Sequence, residues 1–245
     1  MEREYAAAYA DLYQRHWWWR AREDFLMKVL SAELASRPRA AILDVGCGAG
    51  LFFRRLEELG DPYGVESDPT MRTGRWDIDR RIHWGTLESY RPERRYGAIL
   101  FLDVLEHVQR PQELLRLALG LLADGGVVIA TVPAFRVLWT KHDDVNAHVE
   151  RYTKAGFVRV ADTAGLRTKS LRYFFHWVFL AKLAVRAREA IRGRRSVPSV
   201  PGVPGPLLNR ALHSLCRSEQ MLGLDRALPF GSSLLYVGAP HEPHR

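Results

Sequence analysis

The sequence has little cysteine: Cys47 and Cys216 stand alone among 245 residues, far apart and without metal-type spacing. A disulfide framework and a thiolate metal site are therefore not expected, and the usage suits a reducing cytoplasm. No uninterrupted apolar run reaches the ~18 residues usual for a membrane span. The nearest stretch, Tyr173 to Val185, is shorter and contains His176 and Lys182. The amino terminus is charged from Glu2 onward and lacks the apolar segment of a signal peptide. Internal repeats are absent as well. What the chain does have is 47% hydrophobic and 26% charged residues, enough apolar material for a packed core. Its formal charge of +8 leaves two readings open. One is an anionic partner, nucleic acid or membrane; the other is an arginine-rich composition with no partner behind it.

From residue 40 to 134, short apolar runs alternate with amphipathic stretches, the pattern of βαβ units and a parallel sheet. Strands are expected over Ala40 to Val45, Pro62 to Ser67, Arg81 to Thr86, Tyr96 to Val104 and Val127 to Pro133. Helices are expected over Leu51 to Leu59 and Gln112 to Leu122. Further on, the pattern predicts a helix over Tyr152 to Leu166, a strand over Lys169 to Phe174, a helix over Leu207 to Leu222 and a last strand over Ser232 to Ala239. A basic segment (Arg186, Arg188, Arg192, Arg194, Arg195) and the Pro/Gly-rich connector Val197 to Pro206 separate these. Right-handed crossovers make this an α/β, Rossmann-like doubly wound sheet, mostly parallel and seven-stranded, with its site at the carboxyl ends of the strands. We read one domain: a helical cap over 1–39, a cofactor core over 40–134, an acceptor side over 135–174, an insertion over 175–230 and a last strand with tail over 231–245.

The sharpest motif is ILDVGCGAG, Ile42 to Gly50. A buried strand leads into Gly46-Cys47-Gly48-Ala49-Gly50 just before a helix, so backbone amides can approach a ligand closely. Glu66 ends the second strand 22 positions after Asp44. An acidic residue roughly 20 positions on is where ribose hydroxyls are met. The glycines run G-x-G-x-G and not the G-x-G-x-x-G of NAD-binding proteins.

Together ILDVGCGAG, GVESD (Gly64 to Asp68), FLDVLEHV (Phe101 to Val108) and LLADGGVVIATVP (Leu121 to Pro133) resemble the successive motifs of class I S-adenosylmethionine-dependent methyltransferases. They are most similar to the broad group that includes the quinone-pathway O-methyltransferases. The resemblance implies that Asp44, Gly46, Cys47, Gly48 and Gly50 surround the methionine portion of the cofactor, that Glu66 holds its ribose, and that Ser67 lies beside it. Asp103 and Val104, at the end of the fourth strand, complete that set. The family's usual acidic residue after the third strand is missing; Gly85-Thr86-Leu87 stands there, so Thr86 or Leu87 is the expected adenine neighbour. HWWWRARE (His16 to Glu23), LWTKHDDVNAHVERYT (Leu138 to Thr153) and LPFGSSLL (Leu228 to Leu235) resemble one bacterial subgroup and extend the likeness along most of the chain.

Methyl transfer is an in-line displacement, for which the protein mainly positions and desolvates the reactants. A general base is needed when the acceptor carries a proton near neutral pH. His107 is the first candidate; the alternative is that it and Glu106 close the cofactor pocket. His142 and His148 form a second polar cluster after the fifth strand. Trp139, Arg151 and Tyr152 on the same stretch are candidate acceptor contacts, as is Trp18, whose alternative role is core packing. HDDVNAH offers no complete ligand set, so no metal is expected. The leading expectation is methylation of a small-molecule acceptor, on oxygen of a hydrophobic, lipid-linked or secondary-metabolite compound. N- or C-methylation and non-catalytic cofactor binding are the alternatives. Leu102-Asp103-Val104-Leu105 replaces the Asn-Pro-Pro-Tyr-type tetrapeptide of amino-directed enzymes, and no nucleic-acid partner is expected. Residues 173–195 are a candidate arm for peripheral membrane or lipid contact. Nothing in the sequence fixes the oligomeric state.

Overall fold

A computed structural model of the chain describes residues 11–192 and 202–241. In chain order it contains α1 (Trp17–Glu33), β1 (Ala40–Val45), α2 (Phe53–Leu56), β2 (Gly60–Glu66), α3 (Trp76–Asp79), β3 (Ile82–Trp84), β4 (Tyr96–Leu102), α4 (Pro111–Leu119) and β5 (Leu122–Pro133). There follow α5 (Lys141–Val145), α6 (Lys154–Ala164), β6 (Leu166–Phe174), α7 (His176–Arg192), α8 (Pro206–Met221), α9 (Leu224–Ala227) and β7 (Ser233–Pro240). The strands form one seven-stranded sheet in the order β3-β2-β1-β4-β5-β7-β6. β1 to β5 run parallel, whereas β7 pairs antiparallel with both β5 and β6. The order reverses between β1 and β4, and the carboxyl ends beside that switch point are where an open α/β sheet binds ligands.

Strand periodicity divides the core between the two faces of the sheet. Leu43, Val45, Ile99 and Phe101 face one side, against Leu115 and Ala118 of α4 and Phe157, Ala161 and Ala164 of α6. Ile42, Ala98, Leu100 and Ile129 face the other, against Ala21, Phe25, Leu26, Val29 and Leu30 of α1 and Cys216 of α8. The i, i+4 spacing of Ala21, Phe25 and Val29 is what gives α1 its apolar stripe. Its first turn is tied down twice: His16 Nδ1 accepts from the Trp18 amide at 3.2 Å, and Asn209 Oδ1 of α8 accepts from the Trp17 amide at 2.8 Å.

Several elements differ from the expected bounds. The helix expected over Leu51 to Leu59 shrinks to the single turn of α2, because the amides of Glu58 and Leu59 bond back three residues rather than four. β5 starts at Leu122, five residues early, since the chain bulges against β4 between Tyr96 and Ala98 and keeps pairing. The arm expected over 173–195 is divided: Tyr173 and Phe174 end β6, and the helix α7 begins at His176. Arg194 and Arg195 lie outside the described residues. No helix among the described residues is long and apolar enough to cross a membrane.

Candidate active site

The glycine loop leaves β1 at Val45, and Gly46, Gly48 and Gly50 all adopt positive φ. A Cβ at Gly46 would lie 2.6 Å from Val104 Cγ2, so the loops after β1 and β4 interlock there. Gly48 is different: a Cβ would meet nothing within 4 Å, and its φ is +55°. The loop therefore presents bare backbone to an open cradle. Glu66, at the end of β2, spans that cradle's rim. Its Oε2 accepts from the Gly48 amide and its Oε1 from the Asp68 amide, each at 2.8 Å. Each oxygen keeps acceptor capacity for a further donor. Ser67, next to Glu66, and Thr86, just past the end of β3, are exposed, whereas Leu87 is buried in the core.

Asp44 lies beneath the loop, 4% exposed. Burial raises its pKa to about 7 against the opposing pull of Arg22, with Glu66 adding to the rise. Burial likewise pushes the Cys47 thiol far up, with the Asp44 and Glu66 carboxylates contributing, so Cys47 is no nucleophile. Past β4, Asp103 has a φ of +58° and is held from two directions. Arg22 Nη2 of α1 lies 2.7 Å from its Oδ2, and the Thr131 hydroxyl donates to its Oδ1 at 3.1 Å. Arg22 is a site residue that sequence reading missed; it is one of two arginines inside HWWWRARE, and no local pattern marks it. Trp18 packs beside it, with the Arg22 guanidinium over its ring and Phe175 5.7 Å away.

Beyond Asp103, Glu106 and His107 meet the segment that follows β5. The His107 and His148 rings stand edge to face with centroids 4.8 Å apart. His148 Nδ1 is 2.8 Å from Asp143 Oδ1. Asp143 is fully buried and also accepts from the Thr140 amide (2.7 Å), the Thr140 hydroxyl (3.1 Å), and Arg151 Nε and Nη2 (2.7 and 3.1 Å). Burial raises the Asp143 pKa, but the bonds from His148, Arg151 and Thr140 outweigh it and hold the carboxyl well below its ordinary range. Partial desolvation, then the neighbouring His148, lower the pKa of His107. Burial, then the Asp103 carboxylate, push Glu106 well above the usual carboxylate range.

The expected acceptor contacts are thus sorted. Arg151 and Tyr152 are both buried and committed to protein: Arg151 to Asp143 and the Ala134 carbonyl (3.0 Å), Tyr152 through its hydroxyl to the Leu105 carbonyl (3.2 Å). They brace the His148 segment from behind. Trp139 donates from Nε1 to Asp144 at 2.7 Å, near the surface. The His142 side chain lies outside the described residues. A second residue missed by sequence reading is Lys182 of α7, where an apolar run merely looked interrupted. Burial, then Arg151, lower its pKa to about 8, while Asp143 and Asp103 act in the opposite sense. Lys182 is thus within electrostatic range of Arg151, Asp143 and Asp103.

A seven-stranded sheet with β7 reversed, a glycine cradle at the switch point and an acid at the end of β2 define a class I methyltransferase architecture. The family profile described as "Methyltransferase domain" matches residues 18–171. The chain belongs to the class I S-adenosylmethionine-dependent methyltransferase family. Among solved structures, a Haloferax volcanii methyltransferase in complex with the Trm112 methyltransferase activator is similar, with 18% identity, TM-score 0.56 and coverage of 99% of this chain and 97% of that one. An S-adenosylmethionine-dependent methyltransferase from Clostridium acetobutylicum follows with 10% identity, TM-score 0.56 and coverage of 91% and 92%. The magnesium protoporphyrin IX methyltransferase of Synechocystis, solved with bound S-adenosylhomocysteine, gives 11% identity, TM-score 0.53 and coverage of 91% and 85%. At these identities the likeness is one of fold. None of the curated proteins matches in sequence.

Proposed function

We propose that this protein transfers the methyl group of S-adenosylmethionine to an oxygen of a small-molecule acceptor. The observation that carries this reading is the His148–Asp143 pair. A buried, ionised aspartate on Nδ1 holds one tautomer and leaves Nε2 of His148 free to take a proton, beside His107. Such a base serves a hydroxyl acceptor; a nitrogen acceptor that is already neutral has less need of it.

The cradle fits the cofactor. Gly48 leaves room against bare backbone, Glu66 offers two carboxylate oxygens to the ribose hydroxyls, and Asp44 with Gly46 and Gly50 flanks the methionine portion. Ser67 lies beside the ribose, Thr86 and Leu87 edge the adenine, and Cys47, Asp103 and Val104 line the wall. When bound, the cofactor supplies an electrophilic methyl group and its own leaving group. The protein holds the acceptor oxygen in line with that methyl group, takes the hydroxyl proton on the imidazole and keeps water out.

Two features favour an acceptor that is anionic and hydrophobic at once. Lys182 places an amine on the acceptor side, and α7 turns apolar groups outward, with Trp177 41% and Leu180 45% exposed. An apolar helix face beside Arg186 and Arg188 suits a cytoplasmic enzyme that meets lipid-linked acceptors at a membrane surface. Calorimetric titration with S-adenosylmethionine, S-adenosylhomocysteine and NAD, wild type beside Glu66→Ala, tests the cofactor half. Micromolar binding of the two sulfur compounds alone, lost in the variant, is expected. No binding by folded wild type at millimolar ligand overturns the reading. For the acceptor half, His148→Ala should keep cofactor affinity and lose about 10²–10⁴-fold in turnover.

A further inference from the structure

The cluster of Glu106, His107 and His148 has a capacity beyond proton removal. One potential ligand atom from each residue lies within 4.8 Å of the others, a spacing that a single cation can bridge. Glu106 is 1% exposed, and its Oε2 has no hydrogen-bond partner among the described residues. A buried carboxyl oxygen without a hydrogen-bond partner carries its desolvation cost, which a cation held by the ionised group would relieve. One of the two imidazoles is already oriented from behind. His148 is held through Nδ1 by Asp143, the carboxylate–histidine arrangement that commonly backs metal-bound imidazoles. The His107 ring lies against the His148 ring and near the backbone of Asn146 and Ala147. The two segments that carry these groups are joined directly, since the Val149 amide donates to the Glu106 carbonyl at 2.7 Å. The set is therefore assembled before any ligand arrives.

We propose that Glu106, His107 and His148 bind one divalent transition-metal cation. Two imidazoles with one carboxylate suit Zn²⁺, Mn²⁺ or Fe²⁺ better than Mg²⁺ or Ca²⁺, which prefer all-oxygen shells. Three protein ligands would leave a coordination position open, and His107 is exposed to solvent. What fills that position rests on the proposed function: an acceptor hydroxyl or phenol, whose proton a bound cation makes easier to lose. In that case the imidazoles would give their lone pairs to the cation, and the acceptor hydroxyl would lose its proton to solvent water instead of to an imidazole.

The test is metal binding itself, in the absence of cofactor and acceptor. Chelator-treated full-length protein is titrated with Zn²⁺ by calorimetry, and with Co²⁺ by visible absorption, which reports the ligand field. One equivalent per chain is expected. Binding should weaken more than tenfold in His148→Ala and in Glu106→Gln, and by about 10–100-fold in Asp143→Asn. His83→Ala, on β3, should bind as wild type. Circular dichroism of each variant confirms folding; should Asp143→Asn not fold, His148→Ala and Glu106→Gln decide. Absence of a stoichiometric site overturns the proposal, as does binding unchanged by both of those substitutions. S-adenosylmethionine titrated into the same samples separates the two readings. Cofactor bound without metal removes only the cation, and metal bound without cofactor removes only the methyl-transfer reading.

Discussion

Asp143→Asn tests the buried polar centre of the acceptor side. The carboxylate is fully buried and receives five donor contacts, three of them from Arg151 and His148. Asparagine keeps the shape and one acceptor oxygen but turns an NH₂ toward groups that themselves donate. It also leaves the Arg151 guanidinium, whose side chain is only 3% exposed, without its counter-charge. Breaking one side of a buried pair costs about 3–5 kcal/mol, with little solvent screening here to reduce it. Against a total stability of about 5–15 kcal/mol this is a large fraction. Urea denaturation followed by the fluorescence of the seven tryptophans should show it at pH 7. The pH dependence fixes the cause. A carboxyl whose folded pKa is depressed contributes stability above its unfolded pKa, about 3.9, and loses it as pH falls toward the folded value. The wild-type advantage should hold steady from pH 8 to 5 and shrink only below about pH 4. A difference under about 1 kcal/mol at pH 7, or one indifferent to acid, would refute the buried-pair account.

Three further outcomes are expected. Gly48→Ala should cost only about 1–2 kcal/mol of stability for its left-handed backbone, because its Cβ meets nothing. It should nevertheless weaken S-adenosylmethionine binding at least tenfold in calorimetry; equal affinity would show that the cradle is not the cofactor site. Asp44, with a pKa of about 7, should make that affinity rise about tenfold from pH 6 to pH 8, as ionisation prepares it for the cofactor's ammonium group. Asp44→Asn should flatten the profile, and a pH-independent wild type would contradict the assignment. Glu219 of α8 is 2% exposed and accepts from the amides of His176 and Trp177, each at 2.9 Å, at the start of α7. Glu219→Ala should cost about 2 kcal/mol and speed hydrogen exchange in the first turn of α7; unchanged exchange there would argue against this cap.

The cofactor half of the site is legible in the sequence because its signals are local. ILDVGCGAG announces a buried strand and a loop of backbone, and Glu66 follows at the end of the next apolar run. Periodicity and glycine need no knowledge of what folds against them. The acceptor half is assembled by side chains that are distant in sequence. Arg22 meets Thr131 across 109 positions, and Glu219 reaches the His176 amide across 43. Nothing near Arg22 distinguishes it from Arg20, yet Arg22 is buried and Arg20 is exposed. Arg151 and Tyr152 read as acceptor contacts because polar residues after a fifth strand commonly face a ligand; that both are largely buried and bonded to protein follows from the backbone pairing of Tyr152 with Pro133 and Phe135, which no local pattern announces. The helix over Leu51 to Leu59 shortened for a related reason: its apolar spacing was satisfied by one turn plus tightened bonds.

The Arg22 link also explains how a strained residue can persist at the centre of the site. Asp103 has a left-handed backbone, which costs an L-residue roughly 1–2 kcal/mol. Its amide bonds the Thr131 carbonyl at 2.9 Å, its carboxylate takes the Thr131 hydroxyl, and Arg22 closes the set at 2.7 Å. Immediately after it, Val104 fills the space that a side chain at Gly46 would need. The turn after β4 is thus fixed on one side by α1 and on the other by the glycine loop. Those are the two elements that a cofactor in the cradle would touch. The amino-terminal helix, expected to reach the site through Trp18, reaches it through Arg22 as well: removing Arg22 should free the Asp103 turn, release Val104 from Gly46 and loosen the cradle from that helix.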